Sequence, residues 1–265
     1  MPDMDYETLL VDEHDGITTI TVDRPDALNA LNATVLAELD ALTAAIAGAP
    51  GATRGVILTG SGEKAFIAGA DIKAMSQMSP DEAEAFGRLG QRVTTQLESL
   101  PVTVIACVNG FALGGGCEMA MACDFIYATG NARFGQPEVS LGLIPGFGGC
   151  VRLIRSVGPG QAKELIYSGR HIKADAAARL GLVNTVFETK DEMLAAASAT
   201  LAEIATKSPS AVAAAKSVIN ATPGLSTADA LDAEAAGFRG AFSTNDMREG
   251  TAAFLEKRPP SFTGD

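Results

Sequence analysis

The chain has 265 residues, of which 47% are hydrophobic and 20% charged. That is enough apolar material for a sizeable core in one large domain, or a domain with an appendage, and it excludes a disordered chain. The formal net charge of −12 disfavours nucleic acid or an anionic membrane as the main partner, since both reward a basic face.

The start, MPDMDYETLL, is acidic and has no basic region followed by an apolar stretch, so neither a signal nor a transit peptide is expected. No apolar run reaches the length of about 18 residues that a membrane span needs, and none is expected. The cysteines are Cys107, Cys117, Cys123 and Cys150. None forms a C-x-x-C pair, and each lies in apolar or glycine-rich context. Buried thiols of a cytoplasmic protein are expected.

In chain order, Glu7–Val11 and Ile17–Val22 are β-prone runs around His14-Asp15-Gly16. They predict a hairpin, with His14 a solvated turn residue. Asn32 caps a helix to about Ala47, with Val35, Leu36, Leu39, Leu42 and Ile46 on one face. Gly55–Thr59 is a buried-strand candidate. The Gly60-x-Gly62-x-x-Ala65 that follows matches a dinucleotide fingerprint only formally. No helical pattern opens there, and Phe66–Gly69 reads as another extended piece. Asp71 begins a short helix. Ser79-Pro80-Asp81-Glu82 is a capping box opening a helix to Ser99. Val102–Val108 reads as a strand buried on both faces.

Asn109–Gly149 carries the chemistry. Gly114-Gly115-Gly116 leads into Glu118 and an apolar, helix-like segment. Glu138 follows Gln136-Pro137, beyond a strand at Phe125–Tyr127. Pro145-Gly146 makes a further turn before Gly148-Gly149. Glycines that open a helix leave free N–H groups at the positive end of its dipole, a place suited to an anion or a developing oxyanion. Two carboxylates in one pocket do not ionise independently, so one can serve as acid and the other as base.

Other chemistries are weaker. A serine triad needs a histidine base, and neither His14 nor His171 sits in a glycine-bounded motif. Nothing in sequence near Cys117 activates it as a nucleophile. A metal site would want more histidines or clustered carboxylates.

After Gly149 the pattern is helical: Val151–Val157, Ala162–Tyr167 and Lys173–Leu180, the last closed by Gly181. Leu182–Phe187 is predicted as a last strand. Thr189-x-x-Glu192 is a second capping box, for a helix to about Thr206. Pro209 starts another through Ile219, and the remainder reads as helical until Pro259-Pro260. No repeat period is visible.

Four segments are similar to a known family: AFIAGADIKAM (Ala65–Met75), VNGFALGGGCEMAMACD (Val108–Asp124), FGQPEVSLGLIPGFGG (Phe134–Gly149) and FSTNDMREGTAAFLEKRPPSF (Phe242–Phe262). On these the chain resembles the crotonase, or enoyl-CoA hydratase/isomerase, family, and within it the hydratases most closely. The resemblance implies an α/β fold, a crotonase-type spiral of ββα units, spanning residues 1–200 and followed by a helical oligomerisation region over 201–265. It implies homotrimers or dimers of trimers, an acyl-CoA substrate, and no cofactor beyond the coenzyme A carried by that substrate. It puts the oxyanion hole on the backbone N–H groups of Ala70 and Gly115. It makes Glu118 and Glu138 the catalytic pair, and it lets the Gly146 N–H hold the added water. Ala68, Gly69, Asp71, Ile72 and Lys73 would line the coenzyme A path, with Lys73, Lys257 or Arg258 available to phosphates. Ile67, Phe147 and Cys150-Val151 depart from the smaller or more polar residues usual in the family, and they bear on acyl-chain preference. Enoyl-CoA isomerisation, thioester hydrolysis, or a non-catalytic assembly or RNA-binding role are the alternatives within the same resemblance.

Overall fold

The computed structural model describes residues 5–265. The first four residues of the acidic start lie outside it. The chain begins with β1 (Leu9–His14) and β2 (Ile17–Val22), an antiparallel hairpin. Its two-residue turn, Asp15-Gly16, has both φ angles positive, at 51° and 77°. A turn of that twist matches the strands it joins. Helix α1 (Ala33–Gly48) follows, capped by Asn32, whose side chain accepts from the Val35 amide.

Three ββα units then repeat. The first comprises β3 (Gly55–Gly60), β4 (Ala65–Ile67), the short α2 (Ile72–Met75) and α3 (Pro80–Ser99). The second comprises β5 (Thr103–Val108), β6 (Phe111–Leu113) and α4 (Gly115–Met121). The third comprises β7 (Phe125–Thr129), β8 (Arg133–Gly135), a 3-10 turn (Glu138–Leu141) and α5 (Gly149–Ser168). The first strand of each unit joins a six-stranded sheet, and the second joins a four-stranded one. This is the spiral that the resemblance implied. The units begin at residues 55, 103 and 125, so their unequal lengths leave no period for the sequence to show.

The rest of the chain comprises β9 (Ile172–Lys173), α6 (Ala174–Arg179), β10 (Thr185–Phe187), α7 (Lys190–Ala205), α8 (Pro209–Ala221), α9 (Thr227–Ala241) and α10 (Asn245–Glu256). The large sheet runs β1-β2-β3-β5-β7-β10, and the small one β4-β6-β8-β9.

Strands β3 and β5 are buried along their whole lengths, because each has a cover on both faces. Val56 and Leu58, with Val104 and Ala106, face a large core shared with Leu36, Leu39, Val93 and Leu97 of α1 and α3. Ile57, Ile105 and Cys107 alternate to the other side, against Met193, Ala197 and Leu201 of α7. The α7 contact is close: a Cβ on Gly55 would stand 2.8 Å from Leu201 Cδ2.

Several boundaries differ from the sequence expectation. Only Thr185–Phe187 of the expected last strand pairs in the sheet; Leu182 and Val183 instead enter the core from the turn after α6. The two helical pieces after Gly149 form one run, broken at Gly158, whose φ is 77° and whose successor is Pro159. Helix α10 ends at Lys257 in the left-handed region, ahead of Pro259-Pro260. Strands β6, β8 and β9 went unforeseen. Among the described residues, no helix is long and apolar enough to cross a membrane.

Candidate active site

The glycine run is spent on packing as well as on exposure. Gly114 donates its amide to Gly135 O at 2.9 Å, which fixes the start of α4 to β8. A Cβ on Gly116 would collide with the carbonyl oxygen of Ile67, so α4 sits directly on the end of β4. Gly115 is the first residue of the helix, and its amide has no acceptor there by position. A Cβ at this residue would meet Phe147 at 3.0 Å and Leu31 Cδ1 at 3.1 Å.

Leu31 is also the partner of the other expected donor. It forms a parallel bridge with Ala70, in which the Leu31 amide donates to Gly69 O and the Asp71 amide donates to Leu31 O, both at 2.8 Å. In such a ladder the bridged residue turns its own N–H away, and among the described residues no backbone carbonyl accepts from Ala70. Ala70 and Gly115 are thus both brought to Leu31, the first at its backbone and the second at its side chain. The neighbouring Ala68 amide, in contrast, is already given to Leu28 O at 3.1 Å.

Glu118 is 1% exposed. Its Oε1 accepts from the Phe147 N–H at 2.8 Å and from the Gly149 N–H at 2.6 Å. Burial pushes its carboxyl above the usual range, against the pull of those two amides and the charge of Arg152. Only one oxygen is consumed by the clamp, and Oε2 takes no protein donor among the described residues.

Glu138 opens the 3-10 turn after β8. Its carboxyl is pushed up to about 7, first by burial and further by the charge of Glu118. A Cβ on Gly114 would stand 2.8 Å from Glu138 Oε1, so the second carboxylate lies against the glycine that precedes α4. Gly114 itself has φ 48° and ψ −122°, a conformation open to glycine. Gln136 is fully buried, and the end of its side-chain amide lies 2.9 Å from Glu138 Oε1 and 3.2 Å from Oε2; turned with its nitrogen to that side, it donates to both oxygens. It also lies against Gly149.

The other expected residues fall around this centre. Gly146 is exposed, and its carbonyl accepts from Gln91 Nε2 at 3.0 Å. Asp71 caps α2 through the Ala74 amide at 3.3 Å and pairs with Arg24 at 3.2 Å. The Ala74 amide, and then Arg24, hold its carboxyl below the usual range. Ile72 and Lys73 are exposed on α2. Arg258 pairs with Glu249 and Glu256, at 2.6 Å from both.

His14 is solvated and pairs with Asp15 at 3.3 Å. The cysteine expectation needs one correction: Cys107 and Cys117 are buried, Cys123 is half-buried, and Cys150 is exposed. Burial pushes the Cys117 thiol up to about 12, which is the reverse of activation. Two cavities of about 460 Å³ open in the helical part, one among α1, α7 and α8 and one between α8 and α9; no candidate residue lines either.

Sequence reasoning missed Gln136, Arg152 and the two amides that clamp Glu118. The Gln-Pro-Glu order was visible, but a glutamine before a proline carries no signal of its own. The amides leave no side-chain trace at all.

A two-carboxylate site at a glycine-opened helix, on a spiral of ββα units, defines a class. The enoyl-CoA hydratase/isomerase family model matches residues 12–265, and the chain belongs to that family. It is 46% identical over 259 residues to crotonyl-CoA hydratase of Syntrophomonas wolfei, covering 98% of this chain and 99% of that one. It is also 46% identical over 255 residues to short-chain-enoyl-CoA hydratase of Clostridium acetobutylicum, covering 96% and 97%. The crystal structure of enoyl-CoA hydratase from Bacillus anthracis superposes with a TM-score of 0.93 at 38% identity, covering 98% of this chain and 100% of that one.

Proposed function

We propose that this chain is an enoyl-CoA hydratase, which adds water reversibly across the 2,3 double bond of a 2-enoyl-CoA thioester to give a 3-hydroxyacyl-CoA. The observation that carries the reading is the unequal pair of carboxylates. Glu118 is clamped by two amides through one oxygen, and Glu138 is raised to about 7 beside it. One acid and one base at neutral pH are what the addition of water needs.

In this reading the thioester oxygen sits between the N–H groups of Ala70 and Gly115. Water, held by the Gly146 N–H, attacks carbon 3 and gives a proton to the unclamped oxygen of Glu118. Charge moves onto the thioester oxygen, where each amide is worth roughly 3–4 kcal/mol in the transition state. Glu138 delivers its proton to carbon 2, and the pair exchanges its proton with solvent before the next turnover. The two titrations are coupled, so the pH profile belongs to the pair.

Ala68, Gly69, Asp71, Ile72 and Lys73 line the path of coenzyme A, which arrives on the substrate and leaves on the product. The exposed Lys73 ammonium suits its phosphates. The names of the two 46%-identical relatives favour short acyl chains. The helical region after residue 200 serves assembly into trimers or dimers of trimers; Phe238, Phe242, Phe254 and Leu255, all more than half exposed, supply apolar surface for it. The enzyme works in the cytoplasm.

The test is the mass of the product formed from a 2-enoyl-CoA. A gain of one water is expected. An unchanged mass would indicate isomerisation, and free coenzyme A would indicate thioester cleavage; either in place of hydration contradicts the reading.

A further inference from the structure

Arg152 is a cation in the interior that the reaction above does not use. It lies on α5, is 9% exposed, and packs against the other side of the turn that clamps Glu118. Its Nη1 donates to Phe147 O at 3.0 Å and to Thr94 Oγ1 at 3.1 Å, and its Nη2 donates to Glu98 Oε2 at 2.7 Å. Thr94 Oγ1 lies 3.0 Å from the same Phe147 carbonyl. Gly148, at φ 113°, leaves the space the guanidinium occupies, since a Cβ there would collide with Nη1. Phe147 therefore offers its carbonyl to Arg152 and its amide to Glu118, and Gly149 offers its amide to the same carboxylate.

We propose that Arg152 is a positioning residue for Glu118: through the Phe147 carbonyl it fixes the turn whose amides hold that carboxylate, and it sets a guanidinium charge behind them. The inference rests on the hydratase reading, in which Glu118 takes the proton from water. A buried carboxyl left to itself would stay protonated at neutral pH and could not act as the base. The amides of Phe147 and Gly149, and then Arg152, oppose that effect.

The groups facing this pair can be named. Glu118 is met by Glu138 from the 3-10 turn, by the Cys117 thiol of its own helix and by the Cys150 thiol of α5. Arg152 is met by Glu98 from α3, with Arg155 at 3.7 Å from the other Glu98 oxygen, and by the Cys123 thiol from the turn after α4. Asp124 and its partner Lys216 lie beyond Glu98.

The test is the pH profile of kcat/KM for hydration of a short 2-enoyl-CoA by the full chain. Its acid limb reports the first deprotonation of the Glu118–Glu138 pair in the free enzyme, which the hydratase reading places chiefly on Glu118, the base. Arg152→Met should move that limb up by about one pH unit or more, and Arg152→Lys should restore most of the shift. Glu98→Gln removes the anion that neutralises the guanidinium, so it should move the limb down. Unmoved limbs overturn the proposal. So does a shift of one sign in both Arg152→Met and Glu98→Gln, which is what loosened packing would give. Should Arg152→Met not fold, the Glu98→Gln limb decides: a downward shift supports the proposal, and an unmoved or upward limb overturns it. Glu118→Gln separates the two layers. If it hydrates like wild type, the base assignment has failed; if it is inactive while the Arg152→Met limb stays put, the present inference alone has failed.

Discussion

Gly149 donates its amide to the Glu118 carboxylate at 2.6 Å, which ties the first residue of α5 to the middle of α4. Phe147 makes the same bond from two residues earlier, at 2.8 Å. The carboxylate is therefore a structural acceptor as well as a reactive group. Glu118→Ala would strand two buried N–H groups and leave a void, and chemical denaturation should find it about 2–4 kcal/mol less stable than wild type. Glu118→Gln keeps one carbonyl oxygen for both amides and should lose less than about 1.5 kcal/mol.

Glu138 predicts a pH dependence of stability. Its carboxyl rises from an ordinary 4.5 to about 7 on folding, mainly through burial. Between those values the folded state holds a proton that the unfolded state has lost. The contribution is fully present below the lower value and is lost as pH rises through the upper one. Glu138→Gln cannot ionise, so it escapes that loss. Thermal melts should show the variant gaining on wild type between about pH 5 and pH 8; a constant difference would contradict the raised value.

Gly116 tests the seating of α4 on β4. A Cβ there meets the carbonyl oxygen and Cβ of Ile67, and backbone does not yield cheaply. Gly116→Ala should cost about 1–3 kcal/mol in denaturant unfolding. Because β4 leads directly to Ala70, kcat should fall as well, even where the variant is fully folded.

Lys216 and Asp124 join the helical region to the sheet. The Lys216 ammonium lies 2.8 Å from Asp124 Oδ2, which also accepts from the Val104 amide at 2.8 Å; the side chains are 9% and 19% exposed. Lys216→Met strands the carboxylate and should cost about 3–5 kcal/mol. Asp124→Asn with Lys216→Met should cost much less than the sum of the single changes, as a double-mutant cycle would measure.

What could be read from the sequence was local. Asn32, Ser79 and Thr189 cap their helices as expected, because a cap is decided within four residues. Strands β6, β8 and β9 escaped because each is two or three residues long and is made by partners distant in the chain. Leu182 and Val183 passed for strand because burial in a turn and burial in a sheet leave the same apolar trace. In the site, Glu118 and Glu138 stood out against the glycines. The glycine run pointed to free amides at the start of α4, but the Ala70 amide, and its pairing with that of Gly115, came only through the family resemblance, since a backbone donor has no residue type. Gln136 and Arg152 depend on the 145–149 turn folding back onto α4, a relation no spacing encodes.

The division of work between the two glutamates is the claim on which the rest depends. The most direct test follows the loss of conjugated thioester absorbance of a short 2-enoyl-CoA with purified, folded Glu118→Gln and Glu138→Gln. Each variant should be slower than wild type by about a hundredfold to ten-thousandfold in kcat. Hydration by either one at the wild-type rate would contradict the account.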